Sequence, residues 1–342
     1  MKKRVLSLLL VLAMVSVMFA ACSGGGNTET STAPETSMAT TTESAATTES
    51  VPAETTYKVV DIAQSMSNES QAFAAKMFEK HAAEFGIDLT VWDAKADPAT
   101  EAQLVTQAIA QGMNALIVNP NDISGIVPSL MQAKEAGLVV GMFSSDLAAE
   151  NQQYRDFYCG ANDIEAGKAA AKAFIDQFPD GAKIVEIGGQ SGHDAQIKRH
   201  DGFMEGLEGS NIELLETQNC TQWAANDCLT IMQNFIVKYG DEIDGIFCHW
   251  DNGATGVIQA LQNANMDIPY LVAVDGCKAG FDQVAAGTQA VCLMQNFETM
   301  ASTELQMIKT VLDGGTVEQQ VNYIAWDIVT KDTINNFTYP EW

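Results

Sequence analysis

Eleven side chains stand out for the chemistry they can do together: Ser65, Glu69, Ser144, Ser145, Asp146, Asp194, Trp223, Trp250, Asp251, Asp275 and Gln295. They are hydroxyls, carboxylates and one amide, with two indoles and no cation. Such a set holds a ligand rather than breaking its bonds. Indole faces pack against the C–H faces of a sugar, while carboxylates and amides accept its hydroxyl hydrogens. That suits a neutral sugar or polyol. The five carboxylates Glu69, Asp146, Asp194, Asp251 and Asp275 beside tryptophan also suit a cation, so an amino sugar or small amine stands as the other reading. His193 and His249 lie among these residues and read first as packed or solvated loop positions.

Reactive chemistry finds no support. Of the four histidines, His81, His193, His200 and His249, no two have a zinc-ligand spacing such as HExxH. Cys248-His249 is a sequential pair, not the spatial pairing that thiol catalysis needs. Gly160 to Lys168 has the wrong spacing for a phosphate loop, and Ala169 stands where Ser or Thr would bind magnesium. Gly189-Gln190-Ser191-Gly192 is not the GxSxG elbow of a hydrolase. No catalytic residue, metal or cofactor is expected, and a secreted enzyme is the weakest of the function classes.

The candidate residues have a common position: each follows, or closely follows, a short apolar run. Those runs read as strands at 58–63, 88–93, 115–118 and 139–143, then 183–187, 212–217, 245–249, 270–274 and 290–294. Helical patterns separate them, as at 71–85, where Phe73, Met77 and Phe78 share a face and Gly86 ends the run. Strand–helix alternation with short loops implies parallel sheets covered on both faces. The pattern runs once, restarts near residue 166, and its last segment can return to the first half. Ligands in such sheets bind beyond the carboxyl ends of the strands. Two sheets facing one another would therefore line a cleft with the residues named above.

Composition sets the compartment and the class of partner. The chain has 342 residues, 44 acids and 18 bases, a net charge of −26. Nucleic acid would repel it, and so would an anionic membrane face. Lys2, Lys3 and Arg4, then an apolar run to Phe19 and Ala20-Ala21-Cys22, form an export signal over 1–21. Its apolar run is short for a membrane span. Cys22 after small residues matches a bacterial lipobox, whose thiol takes lipid; the chain is then expected to sit outside the cytoplasm, anchored to the cell membrane. Residues 22–56 read as a disordered tether, since 16 of the 34 residues from Ser23 to Thr56 are Ser or Thr and none is aromatic. A glycosylated stalk is the other reading of that stretch. Six further cysteines allow 15 pairings; Cys220 and Cys228 are the nearest in sequence and the first choice for a disulfide.

From about Tyr57 to Asn336 the chain resembles the ribose-type, type I solute-binding proteins of bacterial ABC transporters. The resemblance rests on Ile117-Val118-Asn119-Pro120, Gly160-Ala161-Asn162-Asp163 with Ala166-Gly167, Arg199-His200-Asp201-Gly202-Phe203, Val274-Asp275-Gly276 and Met294-Gln295-Asn296. It implies an α/β fold of two Rossmann-like lobes, 57–160 with 295–322 and 161–294 with 323–336, joined by a three-crossover hinge. It implies a monomer that closes on a solute and hands it to an ABC permease, or a sensory receptor of the same fold. It matches Asp275, Gln295 and Trp223 to family ligand contacts and Arg199 to a structural arginine. It also marks departures. Ser144 and Ser145 replace an Asp-Arg pair, Ile197 replaces an arginine, Trp250 stands for an asparagine, and Glu69-Ser70-Gln71-Ala72 replaces Asn-x-Phe-Phe. Ribose or galactose specificity is therefore not implied.

Overall fold

A computed structural model of the chain describes residues 56–342. The export signal at 1–21, Cys22 and all but the last residue of the tether lie outside the described residues. The first strands and helices are β1 (Tyr57–Ala63), α1 (Glu69–Ala82), β2 (Ile87–Asp93), α2 (Pro98–Ala110), β3 (Ala115–Val118), α3 (Val127–Glu135), β4 (Val139–Phe143) and β5 (Phe157–Ala161). There follow α4 (Asp163–Gln177), β6 (Ala182–Gln190), α5 (Asp194–Leu207), β7 (Ile212–Cys220), α6 (Ala225–Tyr239), β8 (Gly245–Cys248), α7 (Asp251–Asn263), β9 (Tyr270–Asp275), α8 (Lys278–Ala286) and β10 (Val291–Met294). The chain ends with α9 (Phe297–Leu312), β11 (Val321–Ile324) and β12 (Asp327–Thr330).

The described strands form two six-stranded sheets. The first has the order β11-β5-β4-β3-β1-β2 and the second β12-β10-β9-β8-β6-β7. Every pairing is parallel except that of β12 with β10. Central strands such as Ala115–Val118 are buried at every position, as strands covered by helices on both faces must be. Apolar clusters flank each sheet. Around Phe78, Phe143 and Leu305 on one side and Leu116, Val140 and Tyr158 on the other, they build the first lobe. Clusters around Phe235, Ile246 and Leu261 and around Phe174, Phe203 and Phe247 build the second. The chain passes between the lobes after β5, after β10 and between β11 and β12. The third passage falls at 325–326, beyond the 322/323 break read from the sequence.

Four elements escape the sequence reading: β5, α8, β11 and β12. The last two are edge strands whose exposed and polar positions give no apolar run. β5 is fully buried but contains Gly160 and follows a polar loop. The expected Cys220–Cys228 bridge is not formed. All six described cysteines are free and buried. Cys228 Sγ lies 3.8 Å from Cys220 Sγ and 4.0 Å from Cys248 Sγ, so these thiols pack as small hydrophobes in the second lobe's core.

Two of the family-like motifs are one packing device. A Cβ on Gly202 would run into the Ile164 carbonyl, and one on Gly167 into the Arg199 carbonyl. Glycine at both places lets α4 and α5 touch backbone to backbone. That contact brings Arg199 Nε within 2.8 Å of Asp163 Oδ1 and aims the guanidinium toward the carboxyl ends of the strands.

Candidate functional site

The carboxyl ends of the two sheets meet around a narrow, partly open cavity of about 30 Å³. The first lobe contributes Gln64 after β1, Asn68, Ser70 and Gln71 at the start of α1, Asn119 after β3 and Ser144 after β4. The second contributes His193, Ala195 and Arg199 around the start of α5, Trp223 after β7, Trp250 after β8 and Asp275 at the end of β9. Gln295 comes from the second passage between the lobes. Of the eleven expected site residues, Ser144, Trp223, Trp250, Asp275 and Gln295 line this cavity.

The indoles form a corner. Trp223 and Trp250 meet edge to face, centroids 5.1 Å apart at 82°. His193 meets Trp223 in the same way at 5.3 Å and 87°. Each indole lies over a glycine: a Cβ on Gly189 would come within 2.7 Å of Trp223 Cζ2, and one on Gly253 within 2.6 Å of Trp250 Cε2. The Arg199 guanidinium lies 5.9 Å from the Trp223 ring. It is held by Asp163 and by the His249 carbonyl, which Nη1 reaches at 2.5 Å.

Two polar groups face the indoles. Asp275 accepts a hydrogen bond from Gln295 Nε2 at 2.9 Å and adopts a φ of 127°, a backbone strain of the kind that collects at binding sites. Burial pushes its carboxyl up to about 8, against the pull of Arg199. Asn119 Oδ1 is buried and has no hydrogen-bond partner among the described residues, an acceptor left for something inside the cavity. Burial, reinforced by Arg199 and Lys198, holds the His193 imidazole down at about 3, so it is neutral at physiological pH.

The other expected residues are engaged elsewhere. Asp146 forms a two-pronged ion pair with Arg155 at 2.5 and 2.7 Å. Asp194 pairs with Lys198 at 2.6 Å and accepts the Asp146 backbone N–H at 2.9 Å, joining the two lobes. Asp251 accepts the Gly276 and Cys277 N–H groups and Gln289 Nε2, and so fixes the turn after β9. Glu69 bonds Asn252 across the lobes. Ser145 bonds the His193 ring at 3.2 Å, again between lobes, and Ser65 is buried and turns toward Ser67, beside a separate small pocket. These positions follow strands as expected, but ion pairs and turns claim their side chains. His249 lies behind the site, bonded to Glu186.

The sequence reading passed over Asn68, Ser70, Gln71 and Asn119 as contacts and treated His193 and Arg199 as structural. Gln64 and Asn119 directly follow strands, a signal that was present. Arg199 is both structural and cavity-lining, because a helix end delivers its guanidinium there.

The profile of the periplasmic binding protein domain matches residues 62–316. The ribose import binding protein of Bacillus subtilis is 26% identical over 247 residues, covering 72% of this chain and 79% of that protein. A xylitol-binding protein of Mycolicibacterium smegmatis is 26% identical over 252 residues, covering 72% and 69%. Among solved structures, a Caulobacter myo-inositol binding protein with myo-inositol bound superposes with a TM-score of 0.78 at 22% identity, covering 84% of this chain and 98% of its own. A galactofuranose binding protein superposes with a TM-score of 0.78 at 20% identity, covering 82% and 96%.

Proposed function

The chain belongs to the periplasmic binding protein family, and on that premise we propose that it is the solute-binding component of an ABC importer for a neutral sugar or polyol. The carrying observation is the charge balance of the cavity. Of the five carboxylates counted in the sequence, only Asp275 lines it. The one lining cation among the described residues, Arg199, is already paired with Asp163, and His193 is neutral. A small amine would meet no unpaired acid cluster. A polyol would meet indole faces for its C–H groups, Asp275, Asn119 and Gln295 for its hydroxyls, and Gln64 and Ser144 opposite. The sugar and polyol ligands named for the relatives agree with this chemistry.

Closure follows from the same residues. Shutting an empty cavity strips water from Asp275 and from the Asn119 carbonyl, which costs free energy. Ligand hydroxyls replace that water, so only the filled cavity makes the closed arrangement favourable. The passages after β5, after β10 and between β11 and β12 serve as the hinge between lobes taken as 57–161 with 297–324 and 163–294 with 327–336. Export by the 1–21 signal, a lipid on Cys22 and the tether at 22–56 would hold a monomer beside its permease, outside the cytoplasm.

The test is a panel of ribose, xylitol, myo-inositol, arabinose, glucosamine and small amines. Melting temperature and tryptophan fluorescence are followed on the chain lacking residues 1–55. A ligand at 100 times its Kd adds about 2.7 kcal/mol of stability. A neutral polyol that shifts both signals, with the shift lost in Trp223→Ala, supports the reading. A shift confined to amines overturns it.

A further inference from the structure

The residues after the third passage run back across the flank of the cleft. Phe337 packs into a small cluster of the second lobe with Phe281, Val284, Cys292 and Val329. Tyr339 meets Phe281 edge to face at 5.5 Å, and its hydroxyl bonds Asp282 of α8. Three residues later the chain reaches the other lobe. The Trp342 indole stacks on Phe73 of α1, centroids 4.9 Å apart and 8° from parallel. It also stands edge-on to Phe297 at 5.3 Å. The Trp342 carbonyl accepts the Lys278 N–H of α8 at 2.5 Å. Tyr339 is thus rooted on the second lobe, and the Trp342 ring is rooted on the first. The cross-lobe bond between Glu69 and Asn252 lies beside them.

We propose that residues 337–342 form a strap that fastens the closed arrangement of the lobes and sets how readily the cleft reopens. The inference rests on the hinge-closure reading above, but not on the identity of the ligand. An aromatic ring cannot stay stacked on α1 while its own backbone moves away with α8. Opening therefore separates Trp342 from Phe73 and Phe297, or pulls the segment off Lys278 and Phe281. Either event loses aromatic contacts that exist only when the lobes are together, and differential contacts of this kind are what shift a two-state equilibrium. The strap adds affinity by slowing ligand release, and it touches no ligand itself.

The two anchors give the test. Trp342→Ala releases the strap from the first lobe, and Tyr339→Ala weakens its hold on the second, where Phe337 and the Lys278 N–H bond remain. Interlobe distances are read by single-molecule fluorescence transfer between dyes on unnatural residues at exposed positions of α3 and α6, first without ligand. The two aromatic contacts of Trp342 support a shift in the closed-to-open ratio of about tenfold toward open for Trp342→Ala, and a smaller shift in the same direction follows for Tyr339→Ala. The double variant should shift no further than the larger single one, and Trp342→Phe should recover most of the loss. Unchanged distances in both single variants overturn the strap. If Trp342→Ala does not fold, Tyr339→Ala and Trp342→Phe decide in the same way. Wild type held at one distance, with or without the panel sugars, would instead refute hinge closure.

Discussion

Replacing Asp275 by asparagine should make the protein more stable and unable to bind its solute. The carboxyl is buried at the end of β9, and burial lifts it from 3.8 to about 8. An unfolded chain ionises this group near 3.8, whereas the closed fold keeps its proton until about 8. Between these values the folded form binds more protons, so the wild type loses stability as pH rises through that window. At about 1.4 kcal/mol per pH unit, the span from 3.8 to pH 7 amounts to about 4 kcal/mol. That is a ceiling, since swinging the lobes apart rehydrates the carboxylate. Asparagine keeps the shape, the Gln295 partner and a tolerance for positive φ, and removes the titration. Urea denaturation of the ligand-free protein should show the two forms equal near about pH 4. The gap in favour of the variant should widen toward pH 7. Sugar binding, followed by tryptophan fluorescence, should be lost. A gap that does not grow with pH, or a variant less stable at pH 7, would refute the argument that an empty closed cavity penalises Asp275.

Gly189→Ala should weaken solute binding at least tenfold with little change in melting, because its Cβ displaces the Trp223 ring; calorimetry with the best panel ligand checks this. Arg199→Met leaves Asp163 buried without its partner and should cost about 3–5 kcal/mol in denaturant unfolding; a loss under 1 kcal/mol would contradict the buried pair. Glu304, buried over Gly141 with both carboxylate oxygens unpaired, is pushed well above the usual range by burial. Glu304→Met should therefore raise the melting temperature, more at pH 8 than at pH 4. Thiol titration of the chain lacking residues 1–55 should count six reactive groups after unfolding and almost none before; a count of four would establish a disulfide.

Much of this protein is legible in the residue order. The alternating apolar runs foretold the parallel strands, because a strand buried on both faces must be apolar along its length. Gly86 and Gly137 marked helix ends because the chain needs φ of 66° and 84° there, which glycine adopts freely. Trp223, Trp250, Asp275 and Gln295 could be singled out because each follows a strand whose carboxyl end faces the cleft. The acids could not be sorted that way. Asp146 and Asp251 also follow strands, and only the fold brings Arg155 and the Gly276 N–H to them, whereas Lys198 stands one helical turn beyond Asp194 on α5. The partners of Asp146 and Asp251 lie 9 and 25 residues away, and nothing local distinguishes those acids from one that waits for a ligand. The strap was equally hidden. Trp342 stacks on a phenylalanine 269 positions earlier in the chain, a contact that exists only once two lobes have formed and been brought together. Local pattern decides which segments become strands and helices, whereas the pairing of charges and rings across hundreds of residues waits on tertiary packing.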